Sequence, residues 1–451
     1  MGTSSETLRS AVPATRVRYL VLTWLCLAAV IAYMPRNSIG PAEKTISSDL
    51  GLRDLDIFGV TLTPHDQMGQ VMGSFFLTYA IFQIPAGRLA HVWGTRRALT
   101  LFAILWSILA GLGALAQDYV WLMISRLGMG AAQAGIFTCA TLSVARWFPA
   151  THRAVASGAL GSCMSIGSAL AALFTGLLLK QETSWRTILL LFSLPGIAWA
   201  VWFFMWFRDR PEDHAAVNQA ERDLLAAPAS ANGATGVAQS AQSEAVPWRR
   251  ILASPSMWWI CGQQLFRAAG YMFYATWFAT YLQETRTVPE WLSGVLASLP
   301  MFGVVLGCLI GGIVSDAIVT RTGSRSLGRK GLAIATHAAC ALLILLAIPI
   351  NDPVLAVLVI SVGSFCSSVG GPCAYAITID VGGKHVATVF SMMNMAGNIG
   401  AMLFPLVVPV LLRWMSWDGV LYVFAGIYLA GALCWTAIDA NRTIYSPSPE
   451  R

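Results

Sequence analysis

Long apolar runs recur about twelve times along the chain, separated by short polar stretches. They lie near 17–48, 68–90, 98–116, 120–146, 154–179, 187–208, 256–283, 290–314, 329–350, 353–379, 386–412 and 418–440. A helix needs roughly 20 mostly apolar residues to cross a hydrocarbon core about 30 Å thick. The pattern therefore predicts an all-α integral membrane protein with twelve transmembrane helices. Glycine and proline inside the runs (Gly40-Pro41, Pro85, Pro195, Pro300, Pro405) are compatible with spanning helices, where neighbours re-satisfy freed backbone groups. The first run follows a short arginine-containing leader. It is too long for a signal-peptide core, so it reads as a retained helix.

One stretch breaks the pattern. Residues 209–250 are charged at first, then rich in Ala, Ser and Gly, and read as a linker that buries no core. The linker divides the chain into an N-terminal bundle, 1–208, and a C-terminal bundle, 251–451, with six runs each. The halves echo one another. Ser184-Trp185 precedes the sixth run and Ser416-Trp417 the twelfth, and Phe192 and Phe424 follow their tryptophans at the same spacing. GRLAHVWGTRR starts at Gly87 after the second run. GGIVSD starts at Gly311, and the loop after the eighth run ends in Gly328-Arg329-Lys330. Two pseudo-symmetric six-helix bundles are a common plan of carrier proteins.

Composition agrees. Of 451 residues 56% are hydrophobic and 11% charged, against about 25% charged in soluble domains. The net charge of +7 is spread over loops and forms no nucleic-acid patch. With the N-terminus placed in the cytoplasm, twenty Lys and Arg fall on the cytoplasmic side and six on the other, and three of the 29 lie inside the runs. That bias puts both termini inside and suits a multi-pass protein of the cytoplasmic (inner) membrane. The nine cysteines have no CxxC spacing and the six histidines are scattered, so neither a metal nor a disulfide framework is indicated. No cofactor motif and no His/Asp/Glu or Ser/His constellation appears inside the runs, which argues against an enzyme.

The candidate chemistry lies in the three internal cations, Arg36, Arg126 and Arg267. No Asp or Glu shares the middle of any run. An arginine at the centre of a spanning helix costs about 2.5–3.5 kcal/mol on insertion scales and faces a partner or a water-filled cavity. The absent partner is then an anion that comes and goes, gripped by the guanidinium fork. The plainer readings are snorkelling to an interface for Arg36, tying helices together for Arg126, and helix packing or a second anion anchor for Arg267.

The loop GRLAHVWGTRR resembles the signature of the major facilitator superfamily, with Gly87, Leu89, Ala90, Gly94, Arg96 and Arg97 matching and His91 standing where the family has Asp. Asp316 is retained in the second-half loop. More narrowly, YMPRNSIGPA, FFLTYAIFQIPAG, SRLGMGAAQAGIFTCATLSVARWFP, ATWFATYL and AITIDVGGKHVATVFSMMNMAGNIGAMLFP resemble the anion:cation symporter branch, carriers of sugar acids and related carboxylates. The resemblance implies that Arg36 grips a substrate carboxylate and that Tyr79, Gln264 (or Gln263), Asn394 and Asn398 line the cavity. It implies that Arg126 belongs to a gating and coupling network, and that Gly87, Gly94, Arg96, Arg97 and Asp316 belong to conformational-switch loops. Two departures matter. Pro35 replaces the first-helix acid, and Gln133, two turns beyond Arg126 on the same face, replaces the fourth-helix acid. Glutamine cannot titrate, so the usual proton-coupling pair is missing.

The expectation is a secondary transporter that moves a small organic anion by alternating access, acting as a monomer in the bilayer, with a proton or other ion as a candidate co-substrate. Anion exchange or uniport is the alternative, and a drug exporter or transporter-like receptor fits less well. Glu43, seven residues after Arg36, reads either as an exposed carboxylate beside Lys44 or as a relocated coupling group or gate facing Arg126. His337 is a further titratable candidate, with packing as its plainer reading. Tyr271, Tyr274, Trp277 and Tyr375 are candidate cavity aromatics.

Overall fold

The computed structural model describes residues 13–57, 60–149, 152–226, 248–382 and 386–439. The first half runs α1 (Val17–Asn37), α2 (Glu43–Asp49), a hairpin of β1 (Leu55–Ile57) and β2 (Val60–Leu62), then α3 (Pro64–Trp93), α4 (Thr95–Gly113), α5 (Tyr119–Gln133), α6 (Gly135–Trp147), α7 (Arg153–Lys180) and α8 (Trp185–Trp206). Two short helices follow, α9 (Gln219–Ala226) and α10 (Trp248–Ala253). The second half is α11 (Pro255–Thr276), α12 (Phe278–Thr285), α13 (Glu290–Thr322), α14 (Leu332–Ala347), α15 (Pro353–Val369), α16 (Gly371–Gly382), α17 (Val386–Leu412) and α18 (Trp417–Thr436).

Among the described residues, ten helices or continuous helix pairs are long and apolar enough to cross a membrane. Two more, α3 with 30 residues and α11 with 22, complete twelve spans. They fall short on apolarity because they carry polar side chains on the faces described below. The architecture is the all-α, twelve-helix one expected.

Three of the expected spans are broken in the middle. α5 passes to α6 at Ala134, α11 to α12 at Trp277, and α15 to α16 at Gly370. The first run is shorter than the apolar pattern suggested. α1 ends at Asn37, residues 38–42 turn, and α2 starts at Glu43. The turn is apolar because it is packed rather than because it is helical. A Cβ on Gly40 would stand 2.6 Å from the Ala275 carbonyl oxygen and 2.7 Å from that of Thr276, so only glycine lets this turn approach α11.

Within each half the helices pack on one another. Between the halves, α7 lies along α13 and α3 along α17. Small residues make these seams close. Gly176 faces Gly294, where a Cβ on either would stand within 2.8 Å of backbone, and a Cβ on Gly69 would stand 2.6 Å from the Pro405 carbonyl oxygen. These close approaches sit at the end of the bundle opposite to the described ends of the chain, called here the far end.

The start of the linker departs from the expectation that it buries nothing. Glu221 on α9 is fully buried beneath α1, where it accepts from the backbone N–H groups of Val17 and Arg18 at 3.2 Å and from the Arg18 guanidinium at 2.8 Å. These N–H groups have no partner inside their own helix, and a carboxylate also suits the positive end of the helix dipole. Val217 and His214 are buried nearby, the latter against Trp147 and Trp206. Residues 227–247 lie outside the described part.

Candidate functional site

Arg36 is on the last turn of α1. Only 8% of it is exposed, and it reaches into a ring of aromatic faces. Its guanidinium carbon lies 4.5 Å from the centroid of Phe75, 4.6 Å from Tyr33, 4.7 Å from Phe76 and 5.1 Å from Tyr79. A stripe on α3 (Phe75, Phe76, Tyr79) supplies three of these rings. Each π face attracts the cation, by about 2 kcal/mol when desolvated, without neutralising its charge. Arg36 Nε has no hydrogen-bond partner. Among the described residues, no carboxylate lies within 4 Å of Arg36, Arg126 or Arg267.

Arg126 is compensated differently. From α5 it donates to the Pro35 carbonyl at 3.2 Å and to the Arg36 carbonyl at 2.8 Å. One helical turn earlier on α1, Ala32 accepts from Gln133 Nε2 at 2.9 Å. The last carbonyls of a helix have no intrahelical donor, and its C-terminus carries partial negative charge. Arg126 therefore caps α1 from the side, Gln133 ties the turn before it to α5, and together they fix the turn that carries Arg36. Gln133 is fully buried, and its Oε1 has no partner.

The second half contributes one face of α11. Gln264, Arg267 and Tyr271 recur at helical spacing. Tyr271 donates to Ser168 of α7 at 2.8 Å, and Ser168 accepts from Asn37 at 2.7 Å, so this face looks at the other half. Gln264 accepts from Arg267 Nε at 3.2 Å and lies against Gly397 of α17. Gln263, the alternative register, points away, fully buried and bonded to Ile260 of its own helix. Asn394 and Asn398 are half-buried one turn apart on α17, and Asn398 meets Gln83 of α3 at 3.4 Å. Tyr79 lies within reach of Gln83 and Arg36.

Of the candidate aromatics, Trp277 and Tyr274 are core residues. Trp277 is fully buried with its indole N–H on the Pro405 carbonyl, and Tyr274 is enclosed by Phe278 and Phe424. Tyr375 is 42% exposed on α16. His337 is buried inside the second half against Tyr428, with Nδ1 on the Ala333 carbonyl.

Glu43 neither lies exposed nor faces Arg126, and the turn at 38–42 removes the shared helical face that the spacing implied. It is 2% exposed at the far end, 3.0 Å from the Thr280 hydroxyl and 3.5 Å from His65 Nδ1. His65 Nε2 is 3.2 Å from Glu284, which also accepts from the Trp417 indole at 2.7 Å. His65 belongs to the first half and Glu284 to the second, so the chain Glu43–His65–Glu284 crosses the seam. Arg413 pairs with Asp66 beside it, and the Thr45 backbone N–H donates to Glu290 at 3.0 Å. His65 precedes the apolar run that starts at Met68. Burial opposes its charge, but the hydrogen bonds and charges of Glu284 and Glu43 outweigh burial and push it up to about 10. Burial also works against the Glu284 charge, yet the bonds from His65 and Trp417 hold it below the usual carboxylate range. A cavity of about 440 Å³ lies over this cluster, lined by His65, Glu284, Arg286, Trp417 and Asp418 among others. Sequence reading missed His65 and Glu284 because their partners lie far along the chain.

At the opposite end Gly94, with φ of 82°, starts α4. A Cβ there would meet Asp209 Oδ2 at 2.5 Å. Asp209 accepts from the Arg96 backbone N–H at 3.0 Å and lies 3.7 Å from Arg146. Arg96 also donates from Nε to the Phe204 carbonyl. Arg97 is exposed, and Gly87 faces Thr138 of α6. In the second half Asp316 pairs with Arg329 at 2.7 Å. The two loops thus hold comparable acid–arginine anchors, with Asp209 supplying the acid in the first.

The fold, with Arg36 and Arg267 set in different six-helix halves, is that of a membrane carrier. The profile of the Major Facilitator Superfamily matches residues 25–327 and 317–450, and the chain belongs to that family. It is 26% identical to a protein named as a probable sulfoacetate transporter from Cupriavidus necator, over 96% of each chain. It is 22% identical to the hexuronate transporter of Escherichia coli, over 96% of this chain and 98% of that one. Its fold is similar to the crystal structure of a bacterial homologue of the human lysosomal transporter Spinster in an inward-facing, unoccupied conformation. The TM-score is 0.67 at 18% identity, covering 94% of this chain and 95% of the other.

Proposed function

We propose that the protein is a secondary transporter of a small organic anion, a sugar acid or related carboxylate, in the cytoplasmic membrane. In this reading 1–208 and 251–451 rock about a midplane site, 209–250 links them, both termini are cytoplasmic, and the chain works as a monomer. The carrying observation is Arg36. It is a buried cation whose charge rests on aromatic faces and the Tyr79 hydroxyl, with Nε unpaired and no carboxylate within 4 Å among the described residues. Such a group suits a transient bidentate bond to a carboxylate. Gln264, Asn394, Asn398 and Tyr79 offer hydrogen bonds to substrate hydroxyls. Arg126 and Gln133 hold the α1 end in place rather than touch substrate. Relatives named for sulfoacetate and hexuronate transport support the substrate class.

Gln133 favours exchange or uniport over proton symport by the usual route, since its amide cannot take up a proton. Uptake of labelled hexuronates, aldonates and short sulfonated acids into proteoliposomes tests the reading. Replacing Arg36 by Ala removes two charge-assisted bonds, about 3 kcal/mol or roughly a hundredfold in affinity, and Lys restores part of it. Undiminished uptake by Arg36→Ala would overturn the proposal.

A further inference from the structure

We infer that the transported anion carries two acidic groups, one held by Arg36 and the other by Arg267. The inference rests on the carrier reading above and narrows its substrate. The three internal arginines are compensated unequally. Arg126 spends its guanidinium on the carbonyls that end α1. Arg36 has aromatic faces and the neutral Tyr79 hydroxyl but no carboxylate among the described residues. Among the described residues, Arg267 has one polar contact, from Nε to the Gln264 amide oxygen at 3.2 Å. Two cations are therefore left without an anion, one in each half.

Their placement suits one ligand. Gln264, Arg267 and Tyr271 share the face of α11 that reaches the other half through Ser168, and Arg267 is half-buried on that face. Its terminal nitrogen lies 3.5 Å from where a Cβ on Gly371 would stand, so the absent side chain leaves room beside the fork. Tyr271 shares Ser168 with Asn37, the residue after Arg36, which sets Arg36 about level with Tyr271 along the bundle axis. Arg267 is four residues below Tyr271 on α11, an offset of about 6 Å. Gln264 and Asn398 lie at the lower level and Tyr79 at the upper. A monoanion would leave one cation unpaired in a desolvated site. A dianion, dicarboxylate or carboxylate–sulfonate, pairs both and ties the two halves together.

The test compares acids of equal length with one or two charged ends, such as glucarate with gluconate and sulfoacetate with glycolate. Binding to the purified full-length protein is read by calorimetry, with thermal shift as a second readout. The wild type is expected to bind at least one dianion about tenfold or more tighter than its matched monoanion. Arg267→Gln should lower dianion affinity by a similar factor and leave the monoanion unchanged, and Arg267→Lys should keep the preference. Arg36→Gln should weaken both members of the pair. Equal binding of mono- and dianions by the wild type overturns the two-charge inference while leaving anion transport standing, and that arm needs no variant. Equal losses for both members in a folded Arg267→Gln protein overturn it likewise. If no acid of either kind binds, and Arg36→Gln matches the wild type, the carrier reading falls as well.

Discussion

The far-end seal is expected to loosen as pH rises, and the geometry sets both sign and scale. His65 is charged between Glu43 of its own half and Glu284 of the other. Lys44, which also acts on Glu284, and the cavity residues Arg286 and Asp418 complete the charges around it. Opening the seam removes Glu284 and leaves Glu43. The closed state therefore binds the His65 proton more tightly than the open state. Its contribution to closure is fully present below the ordinary value of 6.5 and is lost as pH rises through about 10. At about 1.4 kcal/mol per pH unit, the whole displacement has an upper bound of about 5 kcal/mol. Solvent reaches 31% of the imidazole and 32% of Glu284, and Glu43 stays with His65. Screening and that retained partner reduce the expected effect to about 1–2 kcal/mol, a factor of roughly 5 to 30 in the closed-to-open ratio. Nitroxide pairs at Arg53→Cys and Trp414→Cys, in a background without native cysteines, report the distance across the seam by pulsed electron resonance. The distribution should broaden to longer distances between about pH 7 and about pH 10.5, a range that brackets the loss of the His65 proton. Glu284→Gln should flatten that response, and His65→Phe should abolish it while keeping the ring contact with Trp277. Identical distributions at both pH values in the wild type, or a wild-type response in Glu284→Gln, would refute the reasoning.

Other outcomes follow from the same contacts. Gln133→Glu can keep the 2.9 Å bond to the Ala32 carbonyl only as the neutral acid, so it should titrate and make uptake sensitive to a pH gradient; gradient-independent uptake would count against this. Arg126→Ala leaves two α1 carbonyls without donors, each worth about 1–3 kcal/mol. It should lower thermal stability and also weaken binding at Arg36, and an unchanged affinity would show that the cap does not position that residue. Gly40→Ala places a methyl group 2.6 Å from backbone oxygen, so the seal must shift apart, read as a longer distance in the same resonance experiment.

The sequence made the spans and their grouping readable because each span must bury backbone polar groups within itself, so length and apolarity are local signals. The breaks were not local. The first apolar run continues through Gly40-Pro41-Ala42, yet the chain turns there because α11 presses against Gly40. Glu43 and Arg36 were placed on one face by a helix that does not extend that far. Arg36, Arg126 and Arg267 stood out as charges in apolar surroundings, and Gln133 stood out as an amide at an acid's position. What no single stretch could reveal was how each charge is compensated. The aromatic ring around Arg36 comes mainly from α3, the carbonyls under Arg126 from α1, and the acids at His65 from α2 and α12.

The unequal compensation also explains how substrate could drive the cycle. Arg126 and Gln133 bond the α1 backbone inside the first half, so their contacts persist whichever way the halves tilt. Arg36 and Arg267 lie in different halves and, among the described residues, share no carboxylate. With the site empty, their like charges oppose close approach of the halves around the midplane, whereas a bound anion converts that repulsion into a bridge. The far-end seal adds a second set of bonds across the seam, His65–Glu284, Thr280–Glu43 and Arg413–Asp66, which must break for the opposite state to form. A substrate that bridges the two cations lowers the midplane cost in both states, and so acts on the barrier between them. A ligand with equal affinity for two states shifts neither, but one bound most tightly when the halves are close catalyses their exchange. Transport of a bridging anion should therefore be faster than that of a matched acid touching Arg36 alone, even at saturation. The measurement is the maximal uptake rate, compared between wild type and Arg267→Gln for the same dianion. Equal maximal rates would show that Arg267 contributes binding without contributing to the rocking step.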